Sequence, residues 1–180
     1  MPVTAALVKV SGDGYQDAFF TFTPRPGEEA FTRIRLRTRE VTGQVTAADG
    51  GTVSNTAGAR VIIPAASVVR AADNTAFSGQ INLDIRSLEN TDATLLPGDG
   101  RGTDTEGYLK ALRWYGAVAV QLSGSDGKAL QIAEGKTALL QIPIQASDIA
   151  NAPATIGLWS FNESIGLWNR RERLLRRQCL

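Results

Sequence analysis

Apolar side chains recur at every second position over 112–122, where Leu112, Trp114, Val118, Val120 and Leu122 share one face with Gly116 among them. A period of two is the spacing of a β-strand with one buried face. The same period holds over 81–87, where Ile81, Leu83 and Ile85 alternate with Asn82, Asp84 and Arg86, and again at Ala138, Leu140, Ile142 and Ile144. Over 33–39, Ile34, Leu36 and Thr38 point one way while Arg33, Arg35, Arg37 and Arg39 point the other. Val61 and Ile63 share a face, but Ile62 between them is also apolar, which predicts a strand covered on both sides.

Turn chemistry separates these runs. Ser11-Gly12-Asp13-Gly14, Asp49-Gly50-Gly51, Ser125-Asp126-Gly127-Lys128 and Glu134-Gly135-Lys136 supply glycines where tight turns need positive φ. Asp126-Gly127, lying between the 112–122 and 129–132 runs, predicts a β-hairpin. Helix is confined to a turn or two over 146–150, stopped before Pro153. Many short strands joined by glycine turns predict an all-β chain, an antiparallel β-sandwich. The longest irregular stretch falls at about 89–107, and a loop of that length is often functional.

The formal net charge of +1 conceals two parts. Residues 170–180 hold five arginines, one glutamate and the single cysteine. Without them 14 Lys+Arg face 17 Asp+Glu, a net of −3 over 1–169. A mildly acidic body is the opposite of the clustered basic surface that nucleic acid requires, so no nucleic-acid partner is expected. With no histidine and one cysteine, the chain has no internal disulfide, no Cys/His zinc site and no Ser-His-Asp or Cys-His machinery. We therefore expect no catalytic residue and no enzyme. Met1-Pro2-Val3-Thr4 lacks the basic start of a signal peptide, and Ala5–Val10 is too short an apolar run to be its core. No stretch approaches the ~20 apolar residues that span a membrane, so no membrane insertion by this chain is expected.

Four groups of residues offer binding chemistry, each beside a plainer reading. Asp99, Asp104 and Glu106, with Asn90 and Asp92, present the hard oxygens that suit calcium, but without the regular spacing of an EF-hand loop. The plainer reading is a solvated glycine-rich loop, and no cofactor beyond that calcium candidate is expected. Asp13, Asp49 and Asp126 stand beside glycines as turn formers rather than ligands. Arg35 and Arg37, with Arg33 and Arg39, offer a cationic row for an anionic glycan or phosphate, or simply a solvated strand face. Trp159 and Phe161 share a face opposite Ile156 and Leu158 and, with Trp114, Tyr115 and Trp168, offer a sugar-stacking platform or core. Trp114 is expected in the core beside Val118 and Val120.

Several local patterns then occur in a fixed order. Gly50-Gly51-Thr52-Val53 is followed by Gly58-Ala59-Arg60-Val61-Ile62-Ile63-Pro64-Ala65, Phe77-Ser78-Gly79-Gln80-Ile81-Asn82-Leu83, and Leu112 to Leu122. After these come Leu130-Gln131-Ile132, Leu140-Gln141-Ile142-Pro143-Ile144, Pro153 to Glu163, and Gly166-Leu167-Trp168. Over roughly 40–168 this order resembles the carboxypeptidase-regulatory-like surface proteins of Bacteroidetes-type bacteria and the related module of cartilage intermediate layer protein. The Gly-Gly…Ile-Pro-Ala element is similar to the β-sandwich module of zonula occludens proteins and netrin receptors. Val8 to Tyr15 and the closing Ile34-Arg35-Leu36 resemble the end of a transthyretin-like regulatory domain.

The resemblance implies three segments: a partial transthyretin-like β segment over 1–39, a β-sandwich module over 40–169 that lacks its last strands, and a basic tail over 170–180 without strand character. After Gly-x-Trp the family continues with acidic residues, further strands and a His-Phe-Ser. Codons permitted for the tail spell Glu-Glu-Ser-Ala-Tyr-Tyr-Glu-Gly-Asn-Val one base out of frame, so the tail is expected to be a frameshift product and the chain a truncated, aggregation-prone fragment. The implied function is a non-catalytic module of an exported or cell-surface bacterial protein, serving structure, display or weak binding. Its expected partners are neighbouring domains of a larger surface protein, with a glycan or peptide as ligand. The alternatives are a carbohydrate- or peptide-binding module, and a fragment of a self-cleaving surface protein whose cleavage motif is absent here.

Overall fold

The computed structural model of the chain describes residues 6–88 except 24, 28, 30 and 32, together with 96–175, with the backbone alone at 172–175. In chain order the described strands are β1 (Ala6–Val10), β2 (Ala18–Phe22), β3 (Gly43–Thr46), β4 (Gly51–Ser54), β5 (Arg60–Ile63), β6 (Val68–Arg70) and β7 (Gln80–Leu88). They continue with β8 (Arg101–Thr103), β9 (Leu109–Ala111), β10 (Ala117–Gly124), β11 (Ala129–Ile132), β12 (Leu139–Gln141), β13 (Thr155–Asn162) and β14 (Leu167–Leu175). The expected helix at 146–150 is a turn leading into one 3-10 turn, Ile149–Asn151. The protein is all-β, and its strand pairs are antiparallel except for β8 with β14.

The chain divides into two compact units, one of residues 1–39, 91–115 and 146–180, the other of 40–90 and 116–145. The second unit is a two-sheet sandwich. A five-stranded sheet, β3-β7-β10-β11-β6, faces a three-stranded sheet, β12-β5-β4. Their inner faces supply one continuous core: Val53, Val61 and Ile63 from the small sheet, Ile81, Leu83, Ile85, Val68 and Leu130 from the large one. Ile81 and Leu83 are fully buried at the centre of β7. Each such side chain contributes roughly 1.5–3 kcal/mol of apolar burial. The period-two pattern of 81–87 thus marks the core strand, although the opposite face is not open everywhere. Asp84 is buried as well, and its carboxylate accepts the Glu40 amide at 3.2 Å.

Gly50 explains why Gly-Gly and Ile-Pro-Ala occur together. Its φ is +67°, and a Cβ there would lie 2.2 Å from the Ile63 carbonyl oxygen and 2.8 Å from the Ala65 nitrogen. Only glycine lets the β3–β4 turn rest on the chain as it leaves β5. The corner beyond is closed by Ser67, fully buried, whose hydroxyl donates to the Pro64 carbonyl at 2.7 Å. The hairpin at Asp126-Gly127 forms as its dipeptide predicts. Gly127 has φ +76°, Gly124 N–H donates to Lys128 C=O at 2.9 Å, and Lys128 N–H donates to the Asp126 carboxylate at 3.2 Å.

The first unit joins the β1-β2 hairpin and the sheet β13-β14-β8-β9. Its interior is aromatic. Phe19 meets Phe161 at 5.4 Å between centroids, Phe161 meets Trp168 at 5.6 Å, and Trp168 meets Trp114 at 4.6 Å in an edge-to-face contact. Tilted and edge-on pairs of this kind are the favoured aromatic geometry.

Four expectations are corrected. The 112–122 run is not one strand: β9 ends at Ala111, β10 begins at Ala117, and the chain passes between the units at Gly116. A Cβ at Gly116 would sit 2.6 Å from the Pro143 carbonyl oxygen, so this residue turns where a strand would need a side chain. Trp114 accordingly belongs to the first unit, where it meets Trp168 edge to face. The stretch at 89–107 is not wholly irregular, because Arg101–Thr103 is β8. The arginine-alternating segment 33–39 keeps its pattern, with Ile34 and Leu36 half-buried and the four arginines exposed, but joins no sheet beyond a bridge between Thr38 and Tyr15. Arg170 to Leu175 does have strand form. It completes β14 opposite β13, with Leu175 against Thr155, Leu174 against Ile156 and Arg170 against Trp159. Strand pairing runs through main-chain groups, and the open edge of β13 accepts a sequence of weak intrinsic preference.

Candidate functional site

Of the residues that offered a calcium site, Asp99, Asp104 and Glu106 lie at or beside the β8–β9 hairpin, and the carboxylates of Asp99 and Asp104 are engaged locally. Asp99 accepts from Arg101 Nε at 2.7 Å and from the Arg101 amide at 3.2 Å. Arg101 beside it holds the Asp99 carboxyl below the usual carboxylate range, against an upward push from burial. Asp104 folds the hairpin turn, accepting from the amides of Tyr108 at 2.8 Å and Glu106 at 3.1 Å, with Lys110 Nζ 3.5 Å away. Burial pushes its carboxyl up, but the Tyr108 and Glu106 amides and Lys110 together hold it below the ordinary value. Glu106 is exposed at the turn. Among the described residues no three His, Cys, Asp or Glu side chains gather to hold a metal ion. Asn90 and Asp92 lie outside the described residues.

The other glycine-flanked aspartates behave as turn formers where their contacts are seen. Asp49 accepts from the Thr46 hydroxyl at 2.7 Å. Asp126, besides its turn, accepts from Arg70 Nη1 at 2.9 Å.

Trp159 and Phe161 stand on β13, both half-buried. The indole of Trp159 covers Gly102 of β8, where a Cβ would be 2.8 Å from its ring. Glycine at 102 is what allows the ring to reach past β14 and lie on β8. Phe161 belongs to the aromatic interior between Phe19 and Trp168. Trp159 thus packs on Gly102, and Phe161 packs between Phe19 and Trp168. Arg35 and Arg37 are exposed, and the Arg37 carbonyl accepts from the Gln16 amide at 2.8 Å.

A feature the sequence hides is the edge formed by β9. Leu109, Lys110 and Ala111 are all exposed, Tyr108 just before them is 62% exposed, and Lys110 Nζ stands 5.4 Å from the centre of the Tyr108 ring. They lie just before the 112–122 pattern, and no alternation of their own marks them as an edge.

These features define a two-unit, all-β protein in which Asp49, Asp104 and Asp126 hold turns and Phe19, Phe161, Trp114 and Trp168 pack together. No family model matches the chain, and no solved structure matches it. Over 102 residues, 55% of its length, it is 32% identical to cartilage intermediate layer protein 2 of Homo sapiens. The chain spans 9% of that protein's length. Among the described residues no helix is long and apolar enough to cross a membrane.

Proposed function

We propose that this chain is a non-catalytic β-sandwich module of an exported or cell-surface protein, of the carboxypeptidase-regulatory-like kind found in bacteria, acting in structure and display. The observation that carries this reading is the match to cartilage intermediate layer protein 2, a protein named for a layer of cartilage, over more than half of this chain. The packing supports it. The sandwich closes on Ile81 and Leu83, and the carboxylates of Asp99 and Asp104 are engaged in holding the β8–β9 hairpin. The parent protein would be extracellular, and its partners would be neighbouring domains of the same chain.

The test is made in the native host. Antibodies against the purified chain should label intact, unpermeabilised cells, or detect the parent in the culture medium, and brief external protease should remove the cell-bound signal. Signal only after lysis, in the soluble interior fraction, would overturn the reading.

A further inference from the structure

We propose that the outer edge of β9 is a docking strand for an extended acidic peptide, which would join the sheet β13-β14-β8-β9 as a fifth strand. β9 ends that sheet, and it is the only strand, among those whose side chains are all described, exposed at every position. Its hydrogen-bonding phase is fixed by its neighbours. The Asp104 amide donates to Tyr108 C=O at 3.0 Å, and the Leu112 amide donates to Gly100 C=O at 2.9 Å. With the register Thr103–Leu109, Gly102–Lys110 and Arg101–Ala111, the pairs bonded across the hairpin are 104–108, 102–110 and 100–112. In an antiparallel ladder the alternate residues turn their groups the other way. The N–H and C=O of Leu109 and Ala111 therefore point outward from the sheet edge, two donors and two acceptors at the spacing an added strand uses.

The side chains select the occupant. Lys110 lies between the two outward-facing residues, its side chain 53% exposed and set over the Tyr108 ring, and exposed Arg113 follows. Asp104, the carboxylate nearest Lys110, is only 12% exposed and already accepts two amides. A strand entering this edge meets cationic groups at its centre, with exposed Leu109 on the other face for an apolar side chain. A carboxylate opposite Lys110 is the complementary choice, since opposite charges directly across a pair are favourable and like charges are not. The same argument disfavours a second copy of this chain. The self-pairing register that engages both Leu109 and Ala111 of each copy sets Lys110 against Lys110, the way an edge lysine guards against self-association. The inference does not depend on where the parent protein resides.

The experiment uses the full chain, isotope-labelled, with the capped peptide acetyl-Thr-Val-Glu-Val-Thr-amide and its counterpart carrying Lys in place of Glu. The Glu peptide should slow hydrogen exchange at the Leu109 and Ala111 amides, shift those resonances saturably, and bind several-fold more tightly than the Lys peptide. Lys110→Glu should reverse that order. Ala111→Pro removes only an outward N–H and should lower binding at least tenfold. Should that variant misfold, the Glu peptide N-methylated at both valines applies the same block from the ligand's side. Equal binding of the two peptides, shifts elsewhere with none at 109–111, or no binding would overturn the proposal. So would concentration-dependent protection of Leu109 and Ala111 without peptide, which would assign the edge to a second copy.

Discussion

The indole nitrogen of Trp168 donates to the carbonyl of Pro97 at 3.0 Å, joining residues 71 apart in sequence. Trp168 is 8% exposed and touches both Phe161 and Trp114, so one side chain ties β14 to the segment that leads into β8. Trp168→Ala should destabilise the first unit by about 3–5 kcal/mol, the usual cost of deleting a buried aromatic. Trp168→Phe keeps a ring but orphans the Pro97 carbonyl, and should cost about 1–3 kcal/mol. Urea unfolding followed by far-ultraviolet circular dichroism checks the order. Equal stability of the two variants would show that the hydrogen bond and the lost ring area do not act as described.

In the second unit the decisive positions are Leu83 and Gly50. Leu83→Ala, at full burial in β7, should cost about 2–5 kcal/mol. Gly50→Ala puts a Cβ against the Ile63 carbonyl at positive φ and should cost at least about 2 kcal/mol, although it adds only one methyl group. A neutral Gly50→Ala, measured by thermal unfolding, would mean that the turn is free to move off the β5 exit.

Lys9 and Asp17 are 2.7 Å apart, with Glu163 at 3.8 Å from the same ammonium. The hydrogen bond from Lys9 lowers the Asp17 carboxyl below 3.8, against the opposing effect of burial. The hydrogen bond to Asp17 raises Lys9 above 10.5, again against burial. A depressed acid stabilises fully above its unfolded value and loses that contribution as pH falls through its folded one. A raised base stabilises fully below its unfolded value and loses it as pH rises through its folded one. The pair therefore contributes between about pH 5 and 9.5 and fades at both extremes. The Lys9 side chain is 47% exposed, which limits the pair to about 0.2–1 kcal/mol. The stability difference between the native chain and Lys9→Met should be largest near neutrality, shrink below pH 4, and shrink in high salt. A difference flat with pH would assign the effect to Lys9 packing over the Phe19 ring.

Removing residues 170–180 should destabilise the first unit. Arg170 to Leu175 supplies the partner for Thr155 to Trp159, so the shortened chain leaves that edge open. We expect a lower melting temperature and concentration-dependent association in sedimentation. Unchanged melting would show that the β13–β14 pairing beyond Asn169 adds no stability.

The sequence made the sandwich core legible because Ile81, Leu83 and Ile85 sit on a strand whose inner face is closed, where period-two patterning is enforced by burial. Asp126-Gly127 and Gly50-Gly51 were legible because backbone geometry admits few residues there. Trp114 was misplaced because alternation carries no mark of where one unit yields to another; the 112–122 pattern crosses that boundary at Gly116 without a break. The strand at 170–175 was missed because its partner, β13, supplies what its own composition does not. At the β8–β9 hairpin a calcium site and a solvated loop stood as alternatives because a sequence shows oxygen donors but not the amides and Arg101 that engage Asp99 and Asp104.

We propose that Asp99 and Asp104 serve the fold rather than a bound ion, and calcium titration is the direct test. A site with a dissociation constant of 0.1 mM, given calcium at about 100 times that concentration, would add about 2.7 kcal/mol of stability. For a protein of this size that would raise the melting temperature by roughly 5–10 °C. The account predicts no change in melting temperature and no saturable shift of the amides of Asp99, Asp104 or Glu106. A saturable shift at those amides together with a rise of several degrees would contradict it.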